Sequence, residues 1–196
     1  MDSTTVCNLA LGKIGDQSIT SLDDPTPEAR FCKLYYAQTA AELFRVHDWN
    51  WATGLATLSQ LSTAPAFDWD YAYQLPSDFG RILTLNAFGE GQAHQLFEII
   101  GDQLMTDEGA AQITYIKNVV DPSLFDPLFV EVLALKIAAK LAKPLGGSMD
   151  IQARLLGEFK QALSEARRID AQDGYPRRKP LWVDADVVRA RYSYAN

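Results

Sequence analysis

The residues from which this chain could build a reaction centre are two histidines, two cysteines and a scatter of carboxylates. His47 and His94 fall in different predicted elements. No His-Glu-x-x-His and no cysteine pair at ligand spacing accompanies them, so no metal-ligating set is read. A Ser-His-Asp triad would have to use one of these isolated histidines, and no Gly-x-Ser-x-Gly elbow occurs. His47 closes a predicted helix, where it meets the negative end of the dipole or a satisfied core edge. Gly89-Glu90-Gly91 places His94 where the third glycine of a dinucleotide fingerprint belongs, and no helix follows. Gly146-Gly147-Ser148 precedes a helix but lacks the phosphate-loop lysine, so it reads as a turn with a cap. No catalytic, cofactor-binding or metal-binding residue is assigned, and no cofactor is expected.

Carboxylates need more weighing. Asp68 and Asp70, set among Trp69, Tyr71 and Tyr73, have the composition of a sugar-stacking site with two acids, the requirement of glycoside hydrolysis. Residues i and i+2 on a strand share a face, however, and aromatic flanks are ordinary strand composition. Asp23-Asp24 and Asp107-Glu108 read as turn acids. Trp49-Asn50-Trp51 reads as a hinge buried under a helical and a strand-rich region.

The elements that must position these groups alternate in kind along 196 residues, 47% of them hydrophobic and 22% charged, with a formal charge of −7. This composition excludes disordered, collagen-like and disulfide-dense chains. No apolar run approaches the roughly 18 residues of a membrane span, and the start, MDSTTVCNLALGKIG, has no basic leader. Cys7 and Cys32, on separate predicted helices, read as small buried thiols of a protein made in the cytoplasm.

A first helix is expected over Thr4–Lys13, closed by Gly12 and Gly15. A second starts at Thr26-Pro27 and runs to about His47, its apolar stripe formed by Phe31, Cys32, Tyr35, Tyr36, Thr39, Ala40, Leu43 and Val46. From Trp49 the period changes. Strands are expected over 71–75, 81–86, 96–100, 103–106 and 112–117, with Gly101-Asp102 as a type II′ hairpin turn. They form one antiparallel sheet of about four or five strands, the connections being too short for crossovers. Asp126-Pro127 opens a third helix, apolar nearly all round to Ala142 and therefore buried on several sides. Ser148 caps a fourth, ending near Gln172, with Ile151, Leu155, Phe159, Ala162, Leu163, Ala166 and Ile169 inward. The short link makes these two antiparallel.

The fold class expected is α+β: a four-helix bundle (1–48 and 124–173), a small antiparallel β-domain inserted between helices two and three (49–123), and an extended C-terminal arm (174–196). The arm's five basic and two acidic residues give it +3 and leave −10 on the rest of the chain. Tyr175, Trp182, Tyr192 and Tyr194 make it too aromatic for a solvated linker. With Arg177, Arg178, Lys179, Arg189 and Arg191 they are the candidate partner-binding residues, and a protein partner suits them better than DNA.

The order of elements resembles a known family, the head-to-tail adaptors of tailed bacteriophages, of the podovirus tail tubular protein A type. The resemblance rests on Asn8-Leu9-Ala10-Leu11-Gly12-Lys13-Ile14-Gly15 followed by Ile19-Thr20-Ser21-Leu22. It continues through the helix that exits into Trp49-Asn50-Trp51-Ala52, then Tyr73-Gln74-Leu75-Pro76-Ser77-Asp78-Phe79, and covers nearly the whole chain. It implies a structural virion protein of the phage neck and no enzyme. It also implies a homo-oligomeric ring of twelve copies, docked between the portal protein and a nozzle of the tail tubular protein B type, through which DNA passes without sequence-specific binding. No membrane anchor is expected. Acidic walls suit such a path because they repel phosphates, and a ring needs the heterologous patches that a two-part body with an arm offers. Two other functions remain open at this point: a tail-associated polysaccharide or cell-wall hydrolase using Asp68 or Asp70, and a small DNA-binding protein using Arg177–Lys179.

Overall fold

Capping side chains set the helix starts. The computed structural model describes residues 1–65, 68–86, 96–119 and 121–173. Asp2 accepts from the Thr5 amide at 2.8 Å and opens α1, Ser3–Ile14; Gly15 ends it in the left-handed region at φ 77°. Thr26 accepts from the Ala29 amide and opens α2, Pro27–Val46. The loop between them is pinned by Asn8, whose amide side chain exchanges two hydrogen bonds with the backbone of Ile19 at 2.8 and 2.9 Å. In the same loop the Asp24 carboxylate accepts from the Ser21 and Thr20 amides and the Thr20 hydroxyl, which holds its pKa below the ordinary value.

A 3-10 turn at Asn50–Ala52 leads into seven short strands: β1 Thr53–Thr57, β2 Ser59–Gln60, β3 Tyr71–Gln74, β4 Phe79–Leu85, β5 Phe97–Ile100, β6 Gln103–Thr106 and β7 Gln112–Lys117. They form two antiparallel sheets, ordered β1-β7-β4 and β2-β3-β6-β5, in place of the single sheet expected. Two of the strands were not legible. Thr53-Gly54-Leu55-Ala56-Thr57 carries a glycine and no aromatic residue, and β2 is two residues long. Gly101, between β5 and β6, has φ 65° while Asp102 is not in the positive-φ region, as a type II′ turn requires.

Asp126 accepts from the Leu128 and Phe129 amides and opens α3, Pro127–Ala142, of which eleven residues are buried. Ser148 accepts from the Ile151 amide at the start of α4, Met149–Asp173. The structure is thus mixed α+β, with four helices and two small antiparallel sheets among the described residues. α3 packs against α1, α2 and α4, which explains why it is apolar nearly all round. Two expected inward positions are corrected. Val46 is exposed, and Phe44 is buried instead, stacking on Phe129 at 5.1 Å. On α4 the expected Ile169 is half-buried, and Asp170 takes the fully inward position.

One strand joins the two apolar cores. Ile113 and Tyr115 of β7 pack into the core between the sheets with Tyr73, Leu75 and Leu104. Ile116, on the opposite face of the same strand, packs into the helical core with Trp49, Phe129 and Leu133. Trp49 and Trp51 stand where the helices hand over to the strands, but both pack on the helical core rather than under both regions, and Asn50 between them is exposed. Trp49 is 1% exposed, its indole N–H donates to Leu43 O at 2.9 Å, and its ring meets Phe129 edge-on at 5.2 Å. Trp51 packs on Phe125 and Phe129.

Candidate functional site

The helical core covers only part of the β1-β7-β4 sheet. Cross-strand partners share a face, so Thr53 lies beside Ile116 and Leu55 beside Thr114. Helices seal the Ile116 end. The Thr114 end stays open, and Leu55 there is 72% exposed. The result is a cleft of about 650 Å³ with Leu83, Thr84 and Thr114 on its floor.

Two helix ends form its walls. From the end of α2 come His47 and Asp48, and from the 3-10 turn Asn50; from the last turn of α4 come Asp170 and Asp173. Asp170 keys them together. An ionised carboxylate only accepts, so the His47 Nε2–H donates to its Oδ2 at 2.9 Å, and the Asn50 amide donates to Oδ1 at 3.0 Å. The Asn50 side-chain amide donates to the Asp170 backbone carbonyl. The His47 ring also stands edge-on to Trp49 at 4.8 Å. On the adjoining side a smaller crevice of about 210 Å³ shares Asn50, Asp170 and Asp173 and adds Asp126.

Two of the three carboxylates that line the cleft are engaged. Asp48 pairs with Arg81, and Asp170 is held by His47. Asp173 has no ion-pair partner among the described residues. Arg167 is engaged elsewhere, its guanidinium donating to Val46 O at 2.7 Å. Among the described residues no group of three or more His, Cys, Asp or Glu could hold a metal ion. The cleft thus has an apolar and threonine-lined floor and one carboxylate, that of Asp173, left without an ion-pair partner among the described residues.

The residues singled out in the sequence are placed as follows. Tyr175, Arg177, Arg178, Lys179, Trp182, Arg189, Arg191, Tyr192 and Tyr194 lie outside the described residues, as does His94. Asp68 and Asp70 are not on a strand; both are exposed in the turn before β3, with Asp68 at φ 69°. The Asp70 amide donates to Asp107 Oδ1, so this segment ties two turns together. Cys7 and Cys32 are buried and free, and a hydrogen bond between the two thiols, with burial, raises the pKa of Cys7.

Asp48, Asp170 and Asp173 were not singled out. For Asp170 a signal exists: Leu163, Ala166 and Asp170 stand at i, i+3 and i+7, which puts a carboxylate on an inward stripe where an apolar residue is the rule. Compared with known proteins, the chain matches no protein-family model and no curated protein sequence.

Proposed function

We propose that this protein is a structural head-to-tail adaptor of a tailed phage or prophage, forming a ring between portal and tail nozzle and lining the DNA path. It is a four-helix bundle carrying an inserted β-domain and a C-terminal arm that engages a protein partner, and it makes and breaks no bond. The observation that carries the reading is the work done by the residues of the resemblance. Asn8 ties α1 to Ile19. Trp49 ties the end of α2 to the helical core. Asp78 accepts from the Tyr115 hydroxyl at 2.9 Å, and Phe79 stacks on the same ring. Each ordered motif thus fixes a junction between elements, as a fold-defining pattern requires, and Asn50 of the second motif also lines the cleft.

The charge distribution supports the same role. A body at −10 lets DNA slide along it without adhering. The basic aromatic arm supplies the compact anchors that protein interfaces favour. Imaging the protein by negative stain after mixing it with its portal tests the proposal. Collars on the portal are expected, and they disappear when residues 174–196 are deleted. Turnover of capsular polysaccharide or peptidoglycan, abolished by Asp68→Asn or Asp70→Asn, would replace this reading with the hydrolase.

A further inference from the structure

We propose that a hydroperoxide closes Cys7 and Cys32 into a disulfide that staples α1 to α2. The reaction modifies the chain itself and turns over no substrate, so it stands apart from the adaptor role. Cys7 lies on α1 and Cys32 on α2, both 0% exposed in the helical core. The two thiols are hydrogen-bonded to each other, Cys7 donating and Cys32 accepting. Each sulfur has a small buried neighbour one helical turn away on the same face, Ala10 on α1 and Ala29 on α2. Small side chains let two helix backbones approach closely. A disulfide demands such an approach, its Cα atoms standing about 4.4–6.8 Å apart.

The bond between the thiols also sets the order of attack. It stabilises a thiolate on Cys32 and holds that residue below the ordinary thiol value, and the thiolate is the nucleophile. Cys32 attacks one oxygen of hydrogen peroxide. The O–O bond breaks, the departing hydroxide takes the proton that Cys32 released and leaves as water, and Cys32 becomes a sulfenic acid. The Cys7 sulfur then attacks the Cys32 sulfur. The S–O bond breaks, and the second hydroxide leaves as water with the Cys7 proton. Two thiols and one peroxide become one disulfide and two waters, with two electrons passing from sulfur to oxygen. Hydrogen peroxide is close to water in size and reaches the buried pair through local opening of the packing between α1 and α2.

The test treats the full chain with hydrogen peroxide, removes the excess with catalase, blocks remaining thiols with a maleimide in denaturant, and maps tryptic peptides by mass. Peptides 1–13 and 31–33 carry the two cysteines. They are expected to be joined, two hydrogens lighter than their sum, and to be separated by dithiothreitol. The link restricts the unfolded chain, so the thermal midpoint of the oxidised protein is expected to stand about 5 °C or more above that of the same sample after dithiothreitol. Dithiothreitol leaves methionine sulfoxide in place, so peroxide damage at Met1, Met105 and Met149 cancels in this comparison. Cys7→Ala carries the same methionines and is expected to show no such difference. Both cysteines recovered as maleimide adducts, linked only between two chains, or carried on to sulfinic or sulfonic acid overturn the inference. A linked chain whose midpoint is unmoved or lowered overturns it too, since native packing would then not hold the sulfurs at bonding distance. The same difference in Cys7→Ala would likewise overturn it.

Discussion

Asp170 and His47 meet at 2.9 Å across 123 residues of chain, closing the last turn of α4 onto the end of α2. The same carboxylate takes the Asn50 amide, so one buried acid fixes the point where helices hand over to strands. Asp170→Ala strands the His47 ring and the Asn50 backbone N–H without an acceptor, while the Asn50 side chain keeps the backbone carbonyl at 170. The expected cost is about 2–3 kcal/mol, measured by urea denaturation. Asp170→Asn, which keeps one acceptor oxygen, is expected to cost less.

The two faces of β7 give a test of cooperativity. Ile113 is 2% exposed in the core between the sheets, and Ile116 is 1% exposed in the helical core. Replacing either by alanine is expected to cost about 2–5 kcal/mol. Because the strand belongs to both cores, tryptophan fluorescence and far-UV circular dichroism are expected to move together in each variant. Two separate transitions would show that the cores unfold independently.

Alkaline pH probes two tyrosines. Burial pushes Tyr36 and Tyr115 up to about 12, the Asp78 bond adding to the effect at Tyr115. In the unfolded chain a tyrosine ionises near 10. Between these values the native state holds more protons, so stability is complete below about pH 10 and falls as pH rises toward 12. Tyr115→Phe is expected to flatten that fall while losing the Asp78 bond at neutral pH. The buried hydroxyl of Tyr36 has no hydrogen-bond partner among the described residues, so Tyr36→Phe is expected to be neutral or stabilising at pH 7.

Acid probes the cluster on α3. Glu42 faces Lys136 at 2.8 Å and Lys140 at 3.0 Å, and Lys140 also donates to the buried Thr39 hydroxyl. The Lys136 hydrogen bond, assisted by Lys140, holds Glu42 below its ordinary value of 4.5. The stabilisation is complete above that value and is lost as pH falls through the lowered one. Lys136→Met is expected to lower the thermal midpoint at pH 7 and to shrink its drop between pH 5 and 3.

What the sequence discloses follows the range of the interaction concerned. Caps at Thr26, Asp126 and Ser148 act over two or three residues, and all three helices start there. The burial of α3 follows from its composition alone. Strand pairing is non-local: β4 bonds to β7, and β3 to β6, across intervening strands. No run length or turn residue encodes those partners, so the sequence predicts one sheet where the structure has two. The candidate cleft is harder still to foresee, because His47, Thr114 and Asp170 are gathered from three distant stretches. The inward spacing of Asp170 was visible, but its partners were not.

The shared wall at β7 also constrains inheritance. A bulkier residue at Ile113 displaces the ribbon on which Ile116 sits, so drift on one side must be answered by drift on the other. Helices and strands of this protein are consequently not interchangeable parts. A chimera that borrows its strand region from a diverged homologue would import a surface cut to someone else's α3, and recombination between such genes should leave few viable crossovers within 53–117.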